Sequence, residues 1–231
     1  SNNIILGNNN TKETLKNNNN ILIGNNTLMN SKSCNHNIVL GGSAGLNANY
    51  SFRNVYIGYQ TAYNSLTNRD SILIGFKSGY NIDTENTSEH NILIGNYTGS
   101  KITSGSENIN IGNKSGYNTS TGNNNLLLGN NSGYNNENGN KNLFLGNNSG
   151  FTNTSGSRNI FLGESTGFNN TLGNDNVFIG NGLISGVDES VDKNFIRIRK
   201  PNSGEIANSC LFLESANNLN LTTNYIELFL G

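Results

Sequence analysis

The side chains able to move protons or hold metal ions are few and scattered. His36 and His90 are the only histidines, and an imidazole acts as a general base only with a reacting group held against it. Both stand five residues before a recurring glycine, in a column that also contains Arg53, Asp70, Glu107, Asn124, Lys141, Arg158 and Asp175. A position that accepts both signs of charge reads as a solvated turn rather than a catalytic site. Asp83, Glu85 and Glu89 lie in NIDTENTSEHN, Asn81 to Asn91; a calcium- or receptor-binding loop is one reading of them and a tolerated surface insertion the other. Asp188, Glu189 and Asp192 read as a hydrated loop. Arg197, Arg199 and Lys200 read as a solvated strand face or a contact for an acidic partner. Cys34 and Cys210 are the only cysteines, and CxxC, HxH and HExxH are absent, so no metal site is expected. With no carboxylate pair or basic catalyst recurring in a groove, the sequence predicts neither an enzyme nor a cofactor.

These groups ride on a repeat. An N-φ-φ-φ-G core (φ apolar) returns with its glycine at Gly7, Gly24, Gly41, Gly58, Gly75, Gly95, Gly112, Gly129, Gly146, Gly163 and Gly180. Nine intervals are 17 residues and one, Gly75 to Gly95, is 20. So strict a period, punctuated by glycine and asparagine, predicts an all-β, parallel β-solenoid in which each repeat is one coil. Cys34 and Cys210 then lie some ten coils apart, roughly 50 Å at about 4.8 Å per coil, and cannot bridge within one chain.

Counting from the motif glycine as position 0, positions −3 and −1 hold Ile, Leu or Val in all eleven coils. Two residues apart, they share one strand face and are expected to form the core. Position −2 would then point outward, and it is apolar in ten coils of eleven. That predicts an interface between copies of the chain at Leu73, Leu93, Asn110, Leu127, Phe144, Phe161 and Phe178, with Asn110 setting the vertical register. Position −4 is asparagine in ten coils, with Ser71 the exception, as a stacked amide ladder would require. A second short strand is expected in N-x-[ST]-G-[YF]-N, as in GNKSGYN from Gly112 to Asn118. Its Ser/Thr column is a candidate ice- or carbohydrate-binding face.

Composition limits the partners. Net charge is −1 with 13% charged residues, which leaves no basic footprint for nucleic acid. No run approaches the roughly 18 apolar residues of a membrane span. The 53 asparagines and 28 glycines would suggest disorder if they were not periodic.

The texture of NLFLGNNSGFTNTSG, Asn142 to Gly156, resembles the β-roll heads of YadA-type trimeric autotransporter adhesins and the NTxxGxxAGxxNTTG repeats of phage and giant-virus fibres. The resemblance covers about residues 1–180. It implies a left-handed parallel β-roll, homotrimeric, without cofactor or catalysis, on an extracellular surface as a virion fibre or bacterial appendage. The expected function is a structural and adhesive fibre segment presenting turns to a host-surface receptor or glycan, possible end-to-end stacking included. The alternative is an ice- or carbohydrate-binding solenoid. Residues 1–180 form the expected repeat array. Residues 181–231, where the phase slips and FIRIRK precedes the only proline, Pro201, form the expected C-terminal β cap or neck.

Overall fold

The computed structural model describes residues 2–11, 17–82 and 88–180, together with the backbone of the strands Phe195–Arg199 and Leu211–Glu214. Eleven strands, from Ile4–Leu6 to Val177–Gly180, stack in parallel, each motif position on its own copy: Ile4 on Ile21, Leu126 on Leu143, Phe161 on Phe178. The 20-residue coil is absorbed without a slip, since Leu93 pairs with Leu73. Phe195–Arg199 adds in parallel to Val177–Gly180, and Leu211–Glu214 then pairs with it antiparallel, ending a sheet of 13 strands. The chain is a parallel β-solenoid.

The motif glycines are required where they stand. Gly129 sits at φ +140°, and a Cβ there would run into the carbonyl of Gly146 in the next coil. Beyond each glycine the chain does not extend into a second strand as expected. Residues at +2 and +4 take left-handed conformations, Lys114 at φ 55° and Gly116 at φ 56°, and two left-handed residues so close break an extended run. The turn still satisfies its backbone between coils, because Lys114 N–H donates to Asn96 O and Gly116 N–H to Ser132 O, both at 2.9 Å. The second sheet lies later in the coil and has four strands: Ser33–Asn35, Tyr50–Phe52, Thr67–Arg69 and Ser88–Glu89.

The two strand faces are the reverse of the sequence expectation. Leu22, Val39, Tyr56, Leu73, Leu93, Asn110, Leu127, Phe144, Phe161 and Phe178 are buried inside the roll, while positions −3 and −1 face outward. Asparagine explains the reversal. Position −4 shares the strand face of −2, and its amides line the interior: each Asn backbone N–H donates to the side-chain oxygen one coil earlier, as Asn125 to Asn108 at 3.0 Å, and each Nδ2 reaches a carbonyl on the far wall, as Asn125 to Gly139 O at 2.8 Å. A face committed to satisfying that wall is an inside face, and −2 goes with it.

So narrow an interior trades volume within each coil. Phe144 and Phe161 stack at 4.7 Å, and their rings occupy the space a Cβ would need at Gly150 and Gly167. In the coil of Tyr56, position +4 is Ala62, and the phenol contacts Ser51 Oγ at 3.0 Å and accepts from Asn68 Nδ2 at 3.1 Å. Cys34 is also interior, donating from Sγ to Ala48 O at 3.2 Å, and burial pushes its pKa up to about 12. Cys210 lies outside the described residues.

Candidate functional site

Three outer surfaces of the roll differ in chemistry. The first is the face of the long sheet, where the aliphatic columns at −3 and −1 run side by side over eleven coils with no polar residue in either. Ile38, Ile72, Ile109, Ile111 and Ile160 are 37–39% exposed. β-branched and leucine side chains suit a pleated sheet, but on a wholly solvated face nothing would exclude Thr, Lys or Gln from every one of these positions.

The second surface is the −5 column, read above as a solvated turn. Its residues are left-handed, as with His36 at φ 61° and His90 at φ 58°, and they stack into an exposed ladder. Arg53 forks onto Asp70 at 2.5 and 2.7 Å, Arg158 repeats this on Asp175 at 2.6 and 2.7 Å, and Asn124 Nδ2 donates to Glu107 at 2.9 Å. The hydrogen bonds from Arg53 and Arg158 hold the carboxyls of Asp70 and Asp175 below their ordinary range. The His36 imidazole lies 3.1 Å from Asn19 Nδ2, and His90 lies 3.8 Å from Asp70. No nucleophile accompanies either imidazole in these contacts. The column is a chain of inter-coil links.

The third surface is a groove of about 840 Å³ that spans seven coils. Position +6 forms one side, through Asn30, Asn47, Asn64, Asn81, Lys101 and Asn118. Position +8 forms the other, through Asn49, Leu66, Thr103, Ser120 and Glu137. Position +7 points inward between them, as Ile82 and Ile102 do. The +6 amides are fixed to one another: Asn30 Nδ2 donates to Asn47 at 2.7 Å, Asn47 to Asn64 at 2.8 Å and Asn64 to Asn81 at 2.9 Å. Lys101 interrupts the ladder, which resumes from Asn118 to Asn135 at 2.7 Å. The Lys101 ammonium lies 5.2 Å from the ring centre of Tyr117, in the neighbouring +5 aromatic column.

The seven residues expected at an interface between copies do stand in one column, but it is the interior one. All are buried within a single chain, and none can meet a second chain. Of the expected partner-binding loop, Asp83 and Glu85 lie outside the described residues. Glu89 is half-buried and lies 3.8 Å from Arg69. The Ser/Thr column at +3 is also interior. Ser115, Ser132 and Ser149 donate to strand carbonyls of the next coil, and Thr61, Thr98 and Thr166 to the motif-glycine carbonyls, so these hydroxyls present no face to ice or sugar. Sequons such as Asn113-Lys114-Ser115 arise because the interior requires a hydroxyl there.

The groove was missed by sequence reasoning, although its signal was present: the last asparagine of N-x-[ST]-G-[YF]-N is its wall. No family model, curated protein or solved structure matches the chain.

Proposed function

We propose that the chain is a structural and adhesive segment of a surface fibre, a rigid β-roll shaft or head whose copies pack through the aliphatic face of the long sheet and leave the turns free for attachment. The double column at −3 and −1 is the observation that carries this reading. At about 4.8 Å per coil and about 10 Å across, it presents on the order of 500 Å² of apolar surface, the upper range found on a monomer. Three copies around a common axis would cover about 1,500 Å² in all, about 500 Å² per pairwise contact, so cohesion rests on closing all three contacts together and not on any single pair. Every level presents the same kind of aliphatic pair at the same height, so a rotation axis parallel to the roll matches like rows at each coil. Threefold order, left-handed winding and a virion or bacterial surface location are carried by the resemblance of the repeat to YadA-type adhesin heads and to phage and giant-virus fibres.

Sedimentation equilibrium tests the proposal. The expected result is a single species of three chains from micromolar concentration upward. A monomer over that whole range would overturn it.

A further inference from the structure

We infer that the groove between positions +6 and +8 binds a neutral linear polysaccharide. It is open along the roll for roughly 30 Å at about 4.8 Å per coil, long enough for several sugar units and unlike a pocket for one small molecule. Its walls are mainly amide and hydroxyl, which can both donate to and accept from sugar hydroxyls, and Leu66 with the Lys101 stem supplies apolar surface for the C–H faces of a pyranose. The Asn30–Asn47–Asn64–Asn81 ladder holds its amides in fixed orientation before any ligand arrives, and that lowers the entropy cost of binding.

Charge separates the ligand classes. Lys101 is the one cation and Glu137 the one anion among the lining residues, so the groove is balanced. A polyanion would meet one ammonium in seven coils, too few for phosphate or polyuronate tracking. An extended peptide would seek a free sheet edge or alternating apolar pockets. None of the lining residues belongs to either sheet, and Leu66 is the one aliphatic residue among them. The aliphatic face of the proposed assembly shares no residue with the groove, so the two can fail independently.

The test is a glycan array followed by calorimetry on the intact chain, with soluble neutral β- and α-glucans, mannans and chitin oligomers as probes. Retention of at least one of these is expected. Asn81→Ala and Glu137→Ala alter exposed side chains. They should each weaken binding about tenfold while far-UV circular dichroism and sedimentation stay unchanged. Asn130→Ala, an exposed change outside the groove, should leave binding within about twofold. Absence of binding to every neutral glycan at millimolar concentration would overturn the inference. So would binding insensitive to Asn81→Ala and Glu137→Ala, or a preference for acidic polymers abolished by Lys101→Asn.

Discussion

The side-chain oxygen of Asn108 accepts two hydrogen bonds from Asn125, one from its backbone N–H and one from its Nδ2, both at 3.0 Å. The pattern recurs along the interior and gives each asparagine partners in two coils. Asn125→Ala would leave Asn142 N–H without its partner inside the roll and would take from Gly139 O the shorter of its two hydrogen bonds, the other coming from Asn136 Nδ2. A destabilisation of about 2 kcal/mol is expected, since an orphaned buried group costs about 1–3 kcal/mol. Denaturant unfolding of Asn125→Ala beside the exposed Asn130→Ala gives the comparison, and similar midpoints would contradict the ladder.

Asn110 is the exception in its column. It is fully buried, and neither its Nδ2 nor its Oδ1 has a protein hydrogen-bond partner. Leucines stand directly above and below it, Leu93 and Leu127, each with a glycine at the matching +4 position, as Asn110 has Gly116. Asn110→Leu should therefore fit and should raise stability by about 1–3 kcal/mol, the cost of an unsatisfied buried amide. A lowered thermal midpoint would show that the amide has a role the fold does not reveal.

Two pairs of lysine substitutions separate the faces. Ile109→Lys with Ile111→Lys charges the outward columns. The expected result is a folded chain that no longer associates, read by sedimentation with circular dichroism. Phe144→Lys with Phe161→Lys places two ammonium groups in the stacked interior and should abolish folding. The proposed assembly face is wrong if the isoleucine pair leaves association intact.

Lys101→Asn should also complete the outer amide ladder. Asn118 Oδ1 is buried without a partner where Lys101 interrupts the column. A gain of about 1 kcal/mol in thermal or denaturant unfolding is expected from one added hydrogen bond.

Tyr56 and Cys34 predict behaviour at high pH. Burial pushes the pKa of each up to about 12, from 10.0 and 9.0. The folded chain holds these protons more tightly than the unfolded chain, so their contribution is fully present below pH about 9 and is lost as pH rises toward 12. Alkaline titration should show unfolding that coincides with ionisation of a tyrosine. At neutral pH, Cys34 should resist maleimide until the roll is opened by denaturant.

Periodicity alone yielded the solenoid, its coil length and the asparagine ladder, because a 17-residue recurrence of Asn, aliphatic triplet and glycine leaves few other ways to pair strands. The faces were not legible from hydrophobicity, since Ile72, Leu73 and Ile74 are all apolar and alternation gives no preference between them. Burial of Asn54 and Asn91 decides the matter, and that depends on hydrogen bonds to carbonyls fourteen residues further on, Asn68 and Gly105. Charge pairs such as Arg53 and Asp70 follow from the period once coils are stacked. The position of the second sheet does not, because Ser33–Asn35 and Thr67–Arg69 have no shared apolar pattern.

Ser71 stands where every neighbouring coil has an asparagine, and this gives the rod an uneven tensile strength. Its hydroxyl still accepts from Asn91 N–H, at 3.1 Å, but it has no amide to reach across the interior, and it bonds instead within its own coil to Asn68 and Arg69. The four-stranded second sheet also ends at this level, with Ser88–Glu89. Among the described residues, the Ser71–Asn91 rung has the one bond from Asn91 N–H where a regular rung such as Asn108–Asn125 has two, and a force applied along the axis meets less resistance at that rung. In single-molecule extension the first rupture should release the chain at that joint, and Ser71→Asn should move the first rupture to higher force.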